Sequence, residues 1–364
     1  MKKNLGFILH LAAQIQKIPS PTGNEQKRGL FIADQFTKFG LNDVQIDRIG
    51  NVWGFLPGGS AKPLIISAHI DTVHQLDYPM PLKTIGTRMI GPGIGDNALA
   101  AAVMIGLIKH LKKYKTILPG GIWFIANVGE EGLGNLRGMV EIVEKMEDQA
   151  LAYIILEGLG LGRIYHAGLG VKRYRITFRT PGGHSWENYG TPSAIHEIAR
   201  LITSLNDLPL LEKSAVSLNV GIIRGGTTVN SIASIAIIEV DLRSVTQESL
   251  RDTDELITSL TKSHQSDLIK TEIISIGDRP SGSIPESHPL VRLAADSLER
   301  LGELPILGIA STDANIPLSR GLPAICIGLT HGGRMHTVDE YIETGSIMIG
   351  FQQLLGIVGG VWDC

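Results

Sequence analysis

Short, almost wholly apolar runs that each end on an acid or a histidine limit what this chain can fold into more than any other feature. Leu64-Ile65-Ile66-Ser67-Ala68 runs into His69-Ile70-Asp71, the run from Ile122 to Gly129 into Glu130-Glu131, and the run from Leu151 to Leu156 into Glu157. Runs this short and this apolar read as buried strands of an α/β sheet, and ligands gather beyond the carboxyl ends of such strands. Asp96, after a glycine-rich stretch, and a late histidine near His336 extend the pattern. Charge is costly at a buried strand end unless something pairs with it. Its repetition points to a metal site.

Composition narrows the class of protein. A chain of 364 residues holds two domains, or one large domain with an insertion. A net charge of -3 without a Lys/Arg cluster argues against a nucleic-acid surface. The two cysteines, Cys326 and Cys364, rule out a disulfide framework and a thiolate zinc site. A reducing, cytoplasmic setting is therefore expected, and any metal must take imidazole and carboxylate ligands. The opening Met1-Lys2-Lys3 and the apolar stretch Leu5 to Ala13 weakly imitate a signal peptide. His10 interrupts that stretch, and the pattern continues as an amphipathic helix through Ile15 and Ile18 to a break at Pro19-Ser20-Pro21-Thr22-Gly23. No uninterrupted apolar run reaches the roughly 18 residues a membrane span needs, so no membrane partner is expected.

Along the chain, a second helix capped by Asn24 or Thr22 is expected through Lys38. Val44 to Ile46 and Val52 to Leu56 read as paired strands, with Gly58-Gly59 as the turn. Alternating strands and helices then continue to about His166, and a largely apolar helix from Ala98 to Lys115 is expected to be central. The character changes near Val171, where Arg173 to Arg179 alternates strictly. A helix from Pro192 to about Leu205, strands Ser217 to Ile223 and Ile235 to Arg243, a helix from Gln247 to Lys262 and a strand Lys270 to Ile276 complete a βαββαβ unit. That order describes a ferredoxin-like fold. From Ser287 the α/β pattern resumes, with a loop carrying Asp313, an apolar run Ala324 to Leu329 and a final helix from Asp339. The expected architecture is α/β: a mostly parallel-sheet domain in two parts, 1–170 and 281–364, interrupted by an inserted α+β unit at 171–280.

His69 and Asp71 lie two apart, so on a continuing strand both point to one face, and Asp71 can orient the His69 ring through its second nitrogen. Asp96, read alone, is a helix N-cap; its two oxygens also suit it to bridging two ions. Adjacent Glu130 and Glu131 repel unless a cation divides their work, one ligating and the other taking a proton from metal-activated water. Glu157 is either a solvated loop carboxylate or a further ligand. The late cluster offers both His331 and His336.

These residues bring the chain close to a known family. It resembles the M20 metallopeptidases and amidohydrolases over nearly its whole length. The resemblance rests on Ile18-Pro19-Ser20-Pro21-Thr22-Gly23-Asn24-Glu25, Ser67-Ala68-His69-Ile70-Asp71-Thr72-Val73, Gly95-Asp96-Asn97-Ala98 and Gly129-Glu130-Glu131-Gly132. Ser311-Thr312-Asp313-Ala314-Asn315 and His336-Thr337-Val338-Asp339-Glu340 add to it. It implies a di-metal hydrolase with two divalent ions, zinc first and cobalt or manganese as alternatives. His69 and Glu157 would hold one ion, Glu131 and His336 the other, and Asp96 would bridge them. Glu130 would be the general base, with Asp71 buttressing His69 and His331 the second choice for the last ligand. The inserted unit resembles the family's lid, which also forms a homodimer contact. There His184, in Gly182-Gly183-His184-Ser185, would stabilise an oxyanion, while Asn230 and Arg243 would hold a substrate carboxylate. The implied activity is hydrolysis of an amide bond in a small peptide or N-acyl amino acid. Glu157 favours carboxypeptidase or deacylase members, whereas the Asp313 region resembles tripeptidase T-like ones. A catalytically idle, dimeric binding protein is the alternative from another class.

Overall fold

The computed structural model describes residues 2–208 and 216–364. The chain divides into two compact units, one of residues up to Gly168 with Ser283–Cys364, the other Leu169–Gly282. Each has its own apolar core.

The first unit is built on a nine-stranded sheet. Its centre is parallel: Gly120–Asn127, Ala61–His69, Tyr153–Leu159 and Ala324–Thr330 lie side by side in that order. Every residue of Ala324–Thr330 is buried, as a strand covered on both faces requires. The antiparallel pair Asn42–Ile46 and Val52–Leu56 extends one edge. At the other edge Arg163–Gly168 runs antiparallel to Ala324–Thr330 and parallel to Ile306–Ala310. Helix Leu99–Tyr114 has its first ten residues buried and packs against Lys2–Gln16 and Ile347–Gly360. With the turn preceding it, this helix reaches 21 residues from Ile94 and is long and apolar enough to cross a bilayer. Its most apolar window is 83% buried inside the core, which accounts for that apolarity.

Three local expectations change in this unit. Helix Gln26–Lys38 starts from Glu25, which makes no side-chain cap, rather than from Asn24 or Thr22. The Thr22 hydroxyl is spent on Asp71, and the Glu25 carboxylate accepts from the Gly23 amide and Arg137. The turn joining the edge strands is 47–51, closed by the Asp47 carboxylate, which accepts from the Ile49, Gly50 and Asn51 amides and the Trp53 indole. Gly58-Gly59 instead leads into Ala61–His69, where a side chain at 58 would meet the Gly120 carbonyl at 2.0 Å. The last helix begins at Ile347, not Asp339, because Tyr341–Glu343 first pairs as a strand with Arg88–Ile90.

The second unit is a four-stranded antiparallel sheet ordered Val216–Gly225, Ile235–Ser244, Gly170–Arg179, Lys270–Arg279. Helices Ala194–Asn206 and Gln247–Ser263 pack on it and on each other. Residues of Ile235–Ser244 alternate between half-buried and buried, the period-two signature of a strand with one covered face. The element order and the placing of the first and third strands at the centre match the ferredoxin-like pattern. Pro192 lies just before the Ser193 cap of the first helix rather than inside it.

Candidate metal centre

The carboxyl ends of the central strands bring the candidate ligands together. His69 closes Ala61–His69, Glu157 lies within Tyr153–Leu159, and Glu130-Glu131 follow Gly120–Asn127. Asp96 comes from the turn Ile94–Ala98, where the backbone leaves helical geometry at Asp96 and Asn97 and the bond between them is cis. The Asn97 side chain fixes this turn to the next strand, donating to the Leu156 carbonyl and accepting from the Gly158 amide.

Asp96 sits between two groups. Its Oδ1 lies 3.1 Å from His69 Nε2, which is also 3.6 Å from Glu157 Oε2. Its Oδ2 lies 3.1 Å from His336 Nε2, which is 3.4 Å from Glu131 Oε1. One ligand atom each from His69, Asp96 and Glu131 lie within 4.8 Å of one another. His331 takes another course: its amide donates to the Ser346 hydroxyl and its carbonyl accepts from the Glu343 amide.

The electrostatics show what this cluster lacks. Burial pushes the Glu131 carboxyl up, only partly offset by the His336 ring, and pushes Glu157 up against the opposing pull of His69. Burial works the same way on Asp96, but hydrogen bonds from His336 and His69 prevail and hold it low. The Asp96 and Glu131 carboxylates raise His336 to about 10. His69 is raised too, burial being outweighed by Glu157, Asp71 and Asp96. Buried oxygens thus outnumber the positive charge two imidazoles can supply. Glu131 Oε1 is buried, and the His336 ring 3.4 Å away meets it as an ion pair rather than with hydrogen-bond geometry. Imidazole nitrogens and carboxylate oxygens at this spacing fit divalent cations, which would displace the ring protons as they bind.

Around the candidate ligands lies a supporting layer. Asp71 is fully buried; its Oδ1 accepts from the Glu130 amide at 3.0 Å, and its Oδ2 from the Glu131 amide at 2.9 Å and the Thr22 hydroxyl at 2.8 Å. Its carboxylate is 3.6 Å from His69 Nδ1, which lies closer to the Asp71 carbonyl, at 3.2 Å. Asp71 therefore orients the Glu130-Glu131 backbone at least as directly as the His69 ring. Burial opposes its ionisation, but His69 and these amides hold it down at about 2.

Of the further members, Arg28 and His74 carry no motif of their own, while Asp313 belongs to the Ser311-Asn315 motif. Arg28 is completely buried and donates to the Ile18 carbonyl at 3.0 and 2.6 Å and to the Ile70 carbonyl at 2.9 Å. It ties the 18–22 loop to the peptide between His69 and Asp71. Its place on the buried stripe with Gly29, Ile32, Gln35 and Phe36 was the available signal. His74 is buried and stacks on Tyr78 at 4.4 Å; burial and the nearby His336 charge push its pKa down. Asp313 is fully buried and accepts from Asn127 Nδ2 at 2.7 Å.

The remaining sequence-predicted residues belong to the second unit. His184 is exposed, and its Nδ1 accepts from the amides of Trp186 and Glu187 at 3.3 and 3.4 Å. Asn230 is exposed, with its carbonyl accepting from the Ser185 amide. Arg243 pairs with Asp241 at 2.7 Å.

Known proteins share this arrangement of sequence and fold. A "Probable carboxypeptidase" of Trichophyton verrucosum is 27% identical over 79% of this chain and 71% of its own length. A tripeptidase from Staphylococcus aureus superposes with a TM-score of 0.85 at 21% identity, covering 99% of each chain. A dinuclear metal-binding peptidase of the M20 family from Bacillus subtilis gives 0.75 at 17% identity, covering 100% of this chain and 99% of its own. The sequence profile of peptidase family M20/M25/M40 matches residues 65–359, a span that runs from the strand bearing His69 past His336. With most of its length inside that match, the chain belongs to peptidase family M20/M25/M40.

Proposed function

We propose that the protein hydrolyses the amide bond of a small peptide or N-acyl amino acid, using two divalent cations and Glu130 as general base. The carrying observation is the division of Asp96, one oxygen toward His69 and Glu157, the other toward His336 and Glu131. Those two groups would hold one cation each, with Asp96 shared; zinc suits the donor set, and cobalt or manganese would also be accepted. Such cations, when bound, polarise a scissile carbonyl and lower the pKa of water. Glu130, buried and fixed through its amide to Asp71, takes the proton from the attacking water and passes it to the leaving amine. His184 adds charge stabilisation to the oxyanion. Asn230 and Arg243 bind a substrate carboxylate, which competes with Asp241 for the Arg243 guanidinium. The insert acts as lid and homodimer contact, and unpaired Cys326 and Cys364 suit a reducing cytoplasm.

The carboxypeptidase relative and Glu157 favour cleavage next to a free carboxylate; the tripeptidase-like fold keeps aminopeptidase activity as the second reading. Incubating metal-loaded protein with a library of peptides and N-acyl amino acids, and identifying fragments by mass spectrometry, separates the two. Glu130→Gln is expected to lower kcat by about 10²–10⁴-fold while both cations stay bound. Near-normal turnover in that variant would remove Glu130 from its role. Absence of both metal uptake and turnover in the wild type would favour an idle binding protein.

A further inference from the structure

Glu340 is completely buried, yet none of its oxygens is offered to a neighbouring side chain among the recorded hydrogen bonds. Oε1 accepts from the amides of Gly95 at 2.7 Å and Asp96 at 2.9 Å, and Oε2 from the Gly93 amide at 3.1 Å. Its main-chain carbonyl accepts from the Gly91 amide at 2.8 Å. Four amides of the 91–96 segment are thus gathered by one residue almost 250 positions away in sequence.

The setting of His336 gives this latch its meaning. From His331 to Asp339 the chain is exposed or half-buried at every residue, and Glu340 is the first that is buried. His336 itself takes a positive φ of 65°, a region that non-glycine residues enter at a cost and hold only when their surroundings enforce it. The Glu340 amide returns to the Thr337 carbonyl at 3.2 Å, so the turn beginning just after His336 closes on the latch. The three amides converge on both carboxyl oxygens, so a glutamine would turn its NH2 group toward at least one of them.

We infer that Glu340 is a positioning residue that joins the Asp96 turn and the His336 loop into one unit, so that both cation positions depend on a side chain that ligates neither. The inference rests on the proposed two-cation site and assigns it a mechanical support. Partners behind ligands of this kind typically set metal affinity by about 10–100-fold.

The test uses full-length, metal-stripped protein titrated with zinc against a chromophoric chelator, at a temperature where circular dichroism shows every variant folded. Glu340→Gln is expected to weaken binding of both cations by about 10–100-fold. Glu340→Asp, which keeps the charge but falls a methylene short, is expected to lie between it and the wild type. Glu343→Gln, which breaks the exposed pair with Arg88 in the same hairpin, is expected to bind as the wild type does and controls for simple loosening of the hairpin. Hydrogen exchange of the metal-free protein adds a readout independent of metal, with the amides of Gly93, Gly95 and Asp96 exchanging faster in Glu340→Gln. If that variant does not fold, Glu340→Asp carries both measurements. Wild-type affinity at both positions, or unchanged protection of those amides, overturns the inference. A wild type that binds two cations yet hydrolyses nothing sinks the proposed function alone and leaves the latch intact; one that binds none overturns both.

Discussion

Asp313 shows how much one buried carboxyl can bias the stability of this protein. Burial pushes it up to about 7, against the opposing pull of His69 and the Asn127 amide. Its Oδ1 and the Asn127 Oδ1 are both buried without a hydrogen-bond partner among the described residues. A carboxyl at about 7 in the fold and roughly 3.9 in the unfolded chain favours folding while protonated. That contribution is complete below about pH 4 and is lost as pH rises toward 7. Asp313→Asn supplies an NH2 in place of one acceptor and cannot ionise. Metal-free Asp313→Asn should therefore gain stability over the wild type as pH rises through this window, by on the order of a few kcal/mol at pH 8. Melting curves at pH 5 and pH 8 check it; an equal difference at both would show that ionisation of Asp313 is not what the substitution relieves. His69, Glu130, Glu131 and Glu157 were legible as candidates because each follows an apolar run, whereas Asp96 and His336 follow glycine-rich or polar loops. The roles of Arg28 and Glu340 were not legible, since Arg28 holds carbonyls and Glu340 holds amides of distant segments, and backbone groups carry no sequence mark.

Between elements, close approach decides where Asp96 sits. Strand Tyr153–Leu159 and the Ile94–Ala98 turn touch through glycine: a Cβ at Gly158 would come within 2.0 Å of the Gly95 carbonyl, and one at Gly95 would strike Leu159 at 2.6 Å. No side-chain rotation relieves the first clash, because a Cβ is fixed by its own backbone and the atom it meets is a backbone oxygen. Gly158→Ala should cost about 1–3 kcal/mol through overpacking, and because the turn must shift it should also weaken metal binding. Denaturant unfolding and zinc titration measure the two effects; a stability loss with unchanged affinity would show that the turn moves without disturbing Asp96. The parallel strands themselves were readable from apolar runs. Where the last helix begins was not, because Tyr341–Glu343 pairs with Arg88–Ile90, a partner about 250 residues earlier. Local propensity carries no information about such pairing.

At the scale of the molecule, two separate cores imply two folding units. The chain leaves the first unit after Arg163–Gly168 and resumes beside that same strand, with the Ile284 amide donating to the His166 carbonyl at 3.1 Å. A short glycine-serine linker replacing residues 169–282 should therefore leave the first unit folded and able to take up metal, while removing His184, Asn230 and Arg243. Circular dichroism and metal content test this directly; a chain that fails to fold would mean the first core depends on the insert. The apolar runs and the shift to strict alternation near residue 171 are local patterns, so the sequence by itself determined the α/β class, the ferredoxin-like insert and the set of chemically capable side chains. The resemblance put His336 ahead of His331 and gave Asp96 the bridging place; only the tertiary structure decided that His336 stands 3.1 Å from Asp96 and that Asp96 turns one oxygen to each histidine. Those relations depend on backbone latched across about 245 residues, and no local periodicity encodes a contact at that range.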